Sequence, residues 1–405
     1  MISLLVVDLN YSNTGNANSA ILHRLFSGQD DIDVTVLTEN INSLAEETVD
    51  GFHIIRKKIH SRRSNSAISL HDAGVYPRLL RAKRYMKEVQ DDVDYKRVED
   101  FLYHAERLVD IPSFDVILSC SFPFESHVCA GRLAEKYGKK WIAYYLDPFA
   151  TNPLFPDAHM TARIRTEEEV LRKCDAVLLT YPAMDVYQQN GVAIDVEKTV
   201  QVYLPGIRPI IRKDVNLWQD NVKNRSVFVG NLYWDIRDPM HVIECYRELG
   251  EAYHIYFIGG VGGEDREAIL LEKGISGIPN VHFIEPVSRE LAEQYLLQAD
   301  VLVNIGNLLD NLIPSKVLDY LSSGKPVLNF YKREDCTSTA FFRSYPNAAS
   351  FDDRNIPYAG VKNFLDHAQH MRTLDYDEIR RLYPDYSVSN VREIIMKTIR
   401  GVLND

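Results

Sequence analysis

Residues 301–330 read VLVNIGNLLDNLIPSKVLDYLSSGKPVLNF. A β-branched run, Val301-Leu302-Val303-Asn304-Ile305, stops at Gly306 and gives way to a polar loop through Asn307, Asp310 and Asn311. Pro314 suits the first turn of a helix, because the amide it lacks is one that a helix start leaves unused and its fixed φ is already helical. Gly324 suits the end of that helix, and a second apolar run begins at Pro326. Strand, helix and strand in immediate succession make a βαβ unit.

The same alternation extends in both directions. Strands are expected at 1–9, 32–38, 52–57, 114–120, 140–146, 176–181 and 199–204, then at 225–231, 254–259, 281–285, 301–305 and 326–331. Helices are expected at 17–27, 126–137, 163–174, 238–249, 288–298 and 314–323. Val177-Leu178-Leu179 and Val227-Phe228-Val229 are apolar at consecutive positions, as strands are when helices cover both faces of a parallel sheet. At about 150 residues per domain, the 405-residue chain accommodates two or three domains. Leu204-Pro205-Gly206-Ile207-Arg208-Pro209 is turn chemistry, and the stretch from there to Arg225 is polar and irregular. The expected fold class is therefore α/β, with two doubly wound Rossmann-like domains, 1–205 and 206–385, facing across a cleft. A last helix within 386–405, with Ser389 as its N-cap, is expected to pack back toward the N-terminal domain.

Charge and cysteine content exclude several function classes. The 57 acids against 46 bases give a net charge of −11, the wrong sign for a broad phosphate-neutralising surface, so no nucleic-acid partner is expected. No apolar run approaches the roughly 20 residues that span a bilayer. Met1-Ile2-Ser3-Leu4-Leu5 lacks the basic start of a signal peptide, so a cytoplasmic location is expected. The five cysteines, Cys120, Cys129, Cys174, Cys245 and Cys336, form no CxxC pair, and the twelve histidines form no HExxH. No metal and no cofactor are expected. Residues 56–88 run against the total, with ten bases, two acids and a local charge of +8. Leu79, Leu80, Tyr85 and Met86 lie near helical spacing among those bases. The stretch reads either as a helix on an anionic membrane surface, peripheral to the inner membrane face, or as a solvated helix with an ordinary apolar face.

Chemistry is expected at the start of the helix after Pro314. Free amides around Ile313, Ser315 and Lys316, together with the helix dipole, favour an anion such as phosphate. Lys316 adds a positive charge, and Asp319, about one turn on, is placed to accept hydrogen bonds from a ribose diol.

The run from Ile313 to Val327 resembles the signature of the glycosyltransferase family four group, which has the GT-B fold. That signature carries two acids with seven residues between them, the second followed by small residues and Gly-x-Pro-Val. Asp319 stands at the second acid, the nucleotide-ribose position, and Asn311 at the first, the donor-sugar position. Ser226-Val227-Phe228-Val229-Gly230-Asn231-Leu232 is similar to the strand and loop that open the family's donor domain. A basic pair about six residues apart follows there and binds the diphosphate; its positions fall on Asn231 and Arg237, with Lys316 a substitute for the missing cation. Asn13-Thr14-Gly15-Asn16-Ala17 resembles the loop lining the acceptor side. Lys140 to Pro148 resembles a strand that often ends in His-Asp, with Leu146 at the histidine position and Asp147 retained.

The resemblance implies a retaining, metal-independent hexosyltransferase of polysaccharide biosynthesis. It would move a sugar from a nucleotide-sugar donor, UDP-linked by expectation, to a glycan or lipid-linked acceptor. Arg237 and Lys316 would stabilise the leaving diphosphate, and Asp147 would order donor or acceptor hydroxyls. Asp319, Asn311, Ser315, Ile313, Asn231 and Gly230 would bind the donor, and Gly15, Asn16 and His127 would face the acceptor. The departures at Asn231, Asn311 and Leu146 leave two alternatives open, a non-catalytic sugar- or partner-binding subunit and a sugar-nucleotide epimerase of the same architecture.

Three other patterns have plainer readings. Gly259-Gly260-Val261-Gly262-Gly263 lacks the third glycine of a dinucleotide fingerprint at the right spacing and reads as a flexible turn. Asp92-Val93-Asp94 matches a metal-binding DxD but lies in a charged stretch expected to be a solvated helical face. His127 follows a strand end and is open to either an acceptor role or a structural one.

Overall fold

The computed structural model describes residues 1–12, 17–40, 45–58, 91–152, 155, 157–218, 222–232, 234, 237–262, 266–306 and 315–404. The chain divides into two compact units, Met1–Pro205 with Val388–Asp405, and Gly206–Ser387.

The first unit is built on eight strands: β1 (Ile2–Val7), β2 (Ile32–Asn40), β3 (Ala45–Val49), β4 (Phe52–Lys58), β5 (Val116–Ser121), β6 (Lys140–Tyr145), β7 (Ala176–Thr180) and β8 (Thr199–Val202). Their order in the sheet is β3-β4-β2-β1-β5-β6-β7-β8. Every pairing is parallel except β3 with β4, an antiparallel edge. All six residues of β5 and all five of β7 are buried, as the consecutive apolar runs require. The chain builds outward from β1 through β2, then returns to place β5 on the other flank of β1. The order therefore reverses between β1 and β5, and a doubly wound sheet opens a ligand crevice beyond the carboxyl ends of its strands at such a reversal.

The second unit has six strands: β9 (Arg225–Val229), β10 (His254–Ile258), β11 (Val281–Ile284), β12 (Val301–Ile305), β13 (Val327–Tyr331) and β14 (Ala348–Asp352). They lie in the order β11-β10-β9-β12-β13-β14, all parallel. Here the reversal falls between β9 and β12. Each unit has its own apolar core, one around Leu5, Ile117 and Tyr145, the other around Phe257, Val303 and Leu328.

The expected strands are all present. Two short edge strands, β3 and β14, were not expected, since Ala-Glu-Glu-Thr-Val and Ala-Ala-Ser-Phe-Asp carry few of the bulky residues by which a strand is read. The last helix runs Val388–Asn404, burying Val391, Ile395, Met396 and Ile399 on one stripe. Ser389 is thus its second residue rather than its cap. This helix is tied to the first unit by Arg392, whose guanidinium donates to the carbonyls of Leu25 (2.6 Å) and Arg24 (2.7 Å). Among the described residues no helix is long and apolar enough to cross a membrane. The basic stretch lies outside the described residues from 59 onward.

Candidate functional site

At the β9/β12 reversal the chain after β9 turns sharply. Gly230 sits at φ +133° and donates its amide to Ile258 O (2.7 Å). The turn after β10 closes on it, because a Cβ at Gly259, itself at φ +141°, would lie 2.4 Å from Gly230 O. Asn231 Oδ1 accepts from the Gly260 amide (3.0 Å), and the Leu232 amide donates to Gly260 O (2.8 Å). The glycine-rich stretch expected to be a flexible turn is instead laced to the loop after β9. Asn231, at a position where the family resemblance implies a cation, serves as one of the ties.

The helix Ser315–Ser322 lies against the same loop. Tyr320 is fully buried, and its hydroxyl accepts from the Val229 amide (2.9 Å), which pins the helix to the end of β9. Lys316 reaches across Gly230 so closely that a Cβ there would fall 1.5 Å from Nζ and 2.1 Å from Cε. Its Nζ stands 5.2 Å from the centre of the Phe228 ring. Burial drives the Lys316 amine well below the ordinary lysine range; the neighbouring Arg237 charge pushes the same way and Asp319 opposes. Arg237, 8% exposed, is the second cation of the site. An arginine cation beside a lysine whose charge a bound anion would restore, at a strand-end crevice, suits a ligand carrying clustered negative charge.

Asp319 lies one turn beyond Lys316. Its Oδ1 pairs with Arg208 Nη2 (3.4 Å) and Arg289 Nη2 (3.5 Å). Burial raises its carboxyl above the ordinary range, while Arg289 and then Arg208 pull it back down. Arg208 and Arg289 were not singled out in the sequence, since one stands in an irregular connector and the other on a separate helix. Ser315 is the first residue of the helix and half-buried. Asn311, Ile313, Asn307 and Asp310 lie outside the described residues.

In the first unit the predicted residues separate. Gly15 and Asn16 lie outside the described residues. Asp147 is half-buried at the end of β6; its carbonyl accepts from Ser121 Oγ (3.3 Å), and burial raises its carboxyl. The chain just after it is held by Glu167, a fully buried carboxylate that accepts from the amides of Phe149 (3.0 Å) and Ala150 (2.9 Å) and from the Tyr187 hydroxyl. His127 is completely buried in the core rather than turned toward an acceptor. Trp141 Nε1 donates to Ser119 Oγ (2.8 Å), and that hydroxyl shares a hydrogen bond with His127 Nδ1 (2.7 Å). Burial pushes His127 down to about 3, so it is a neutral core residue. Asp92-Val93-Asp94 is only in part a solvated face. The Asp92 side chain is buried and paired with Arg163 (2.6 Å) and His159 (3.1 Å), while Asp94 is exposed and caps the helix Tyr95–Leu108 by accepting from the Arg97 amide. Among the described residues no cluster of three or more His, Cys, Asp or Glu side chains could hold a metal.

No protein-family model matches the chain, and no curated protein matches it. Solved structures do. Sucrose-phosphate synthase from Thermosynechococcus elongatus overlays with a TM-score of 0.69 at 13% identity across 100% of both chains. The α,α-trehalose 6-phosphate synthase of Burkholderia multivorans gives 0.64 at 12% identity, covering 99% of this chain and 98% of its own. Anabaena Alr3699/HepE, solved with UDP and glucose, gives 0.62 at 10% identity over 99% of this chain and 100% of its own. The likeness is one of fold: two Rossmann-like domains of the GT-B type, as the sequence led us to expect.

Proposed function

We propose that this GT-B chain is a glycosyltransferase that moves a sugar from a nucleotide diphosphate, UDP by preference, to a glycan or lipid-linked acceptor. The observation that carries the reading is the placement of Lys316 and Arg237 at the β9/β12 reversal, with Asp319 one turn further along the same helix. That spacing suits a diphosphate lying on the two cations and a ribose reaching the carboxylate. The choice of UDP is supported by Alr3699/HepE, which shares the fold and was solved with UDP, with UDP and glucose, and with UDP-glucose.

In this reading the bond from the anomeric carbon to the diphosphate oxygen breaks, and an acceptor hydroxyl oxygen bonds to that carbon and gives up its proton. Negative charge grows on the departing diphosphate. Lys316 and Arg237 meet that charge, and electrostatic stabilisation of this kind is usually the largest catalytic term. Asp147 orders donor or acceptor hydroxyls. Retention of anomeric configuration and independence of metal belong to the same reading. So does a cytoplasmic protein whose 56–88 stretch meets an anionic membrane surface. Cosedimentation with phosphatidylserine vesicles that weakens as salt rises supports the membrane contact; salt-insensitive cosedimentation, or none, removes it.

A thermal-shift series with UDP, GDP, ADP and dTDP tests the donor site, because a ligand bound to the folded state raises its apparent stability. UDP is expected to give the largest shift, and nucleotide release from a UDP-sugar mixture is expected to vanish in Asp319→Ala. No shift with any of the four would refute the site. Binding without turnover identifies a non-catalytic subunit instead, and interconversion of the sugar with no acceptor present identifies an epimerase.

A further inference from the structure

Asp319 shares a set of contacts with three other charged side chains, Arg208, Arg289 and Glu293. Arg208 Nη2 contacts both Asp319 Oδ1 (3.4 Å) and Glu293 Oε1. Arg289 does the same, with Nη2 at 3.5 Å from Asp319 Oδ1 and Nε at 3.3 Å from Glu293 Oε1. Two guanidiniums thus bridge two carboxylates. Each arginine is itself fixed by its backbone. The Arg208 amide donates to Ser322 Oγ (3.3 Å), and the two residues before it donate to Tyr386 O, Gly206 at 3.1 Å and Ile207 at 2.9 Å. Arg289 opens the helix Arg289–Gln298, whose cap Ser288 accepts from the Leu291 amide (3.3 Å).

An isolated carboxylate this deep would shed its charge or rotate, and either change would spoil it as a hydrogen-bond acceptor. Both arginines contact the same oxygen, Oδ1, and about a fifth of the Asp319 side chain stays exposed. A carboxylate offers about four acceptor sites, so it can serve guanidinium partners and ligand hydroxyls together. Arginine suits this task better than lysine, because one rigid, permanently charged guanidinium reaches Asp319 and Glu293 together.

We infer that Arg208 and Arg289 are positioning residues that hold the Asp319 carboxylate ionised and oriented for the 2′- and 3′-hydroxyls of a nucleoside ribose. The site thereby discriminates ribonucleotide from deoxyribonucleotide donors. The inference rests on the donor-site reading given above.

The test is direct binding of UDP and 2′-deoxy-UDP to the full chain, for wild type, Arg289→Met, Arg289→Lys and Asp319→Ala. A hydrogen bond to a charged acceptor is expected to give wild type a preference for UDP of roughly tenfold or more. Arg289→Met should shrink that preference to below about threefold, Arg289→Lys should recover part of it, and Asp319→Ala should abolish it. Arg289 is partly exposed, with 41% of its side chain accessible, so its replacement leaves the core intact, and unfolding midpoints measured alongside report any general loss. A full UDP preference in Arg289→Met would overturn the positioning role. Equal binding of both nucleotides by wild type would overturn the ribose contact while leaving the donor site standing. Binding of neither by wild type would remove the donor site, and this inference with it.

Discussion

Replacing Gly230 by alanine tests the centre of the proposed site through one added methyl group. At φ +133° the backbone is in a region that only glycine enters readily, and an alanine there is expected to cost about 1–3 kcal/mol of stability. The new Cβ would also stand 1.5 Å from Lys316 Nζ and 2.1 Å from Cε. Those atoms are the far end of a long side chain, so Lys316 is expected to swing aside rather than unfold the domain. Its ammonium then no longer reaches a bound diphosphate. A lost contact between charged groups is worth about 1.5–3 kcal/mol, or roughly a 10- to 150-fold weaker affinity for UDP. Calorimetric titration with UDP and urea unfolding should be run on Gly230→Ala, Lys316→Ala and the double variant. The stability loss should persist in both backgrounds, because the backbone strain does not depend on Lys316. The affinity loss should nearly vanish once Lys316 is already truncated. An equal affinity loss from Gly230→Ala with and without Lys316 would refute the reasoning.

Three further outcomes are expected. The buried amine of free Lys316 titrates well below the ordinary lysine range, and a bound diphosphate favours its charged form, so UDP binding should take up a proton. Affinity should then fall as pH rises above the free-state value, by up to about tenfold per pH unit, and Lys316→Met should flatten the profile. Arg237→Ala should lower turnover by more than roughly tenfold through lost charge stabilisation, and unchanged kinetics would remove Arg237 from the site. Asp8 is fully buried at the end of β1; its carboxyl accepts the Asn10 amide (3.0 Å) at Oδ1, and burial lifts that carboxyl to about 7. The folded state therefore holds that proton more tightly than the unfolded chain. Its contribution to stability is complete below the ordinary aspartate range and is lost as pH rises through about 7. Asp8→Asn should thus be more stable than wild type at pH 8, by at most about 4 kcal/mol, with little difference at pH 4 in chemical unfolding.

Asp8 and Asp92 show how differently acids of one chain are read and used. In the sequence each is an acid beside a strand end or in a charged stretch, and nothing local separates a solvated carboxylate from a buried one. Asp92 is buried because Arg163 and His159, some seventy residues away, come to meet it. His127 follows the same logic in reverse. Its spacing after β5 allows a ligand-facing side chain, and only the packing of Trp141, Ser119 and Tyr145 around it makes it core. The helix Ser315–Ser322, by contrast, was legible residue by residue, since its glycine stop, apolar stripe and flanking strands are all local signals.

Sequence alone determined the alternation of strands and helices, the boundary near Pro205 and the helix on which Lys316 and Asp319 lie. Those features follow from periodicity and turn chemistry, which act over a few residues. Tertiary structure decided what those residues meet. It set Lys316 across Gly230, tied Asn231 to the turn after β10, and brought Arg208 and Arg289 to Asp319 from segments 111 and 30 residues away. Contacts of that range depend on the order of strands in the sheet and on which loops the β9/β12 reversal places together. That order is set by how the whole chain packs, and no local pattern carries it.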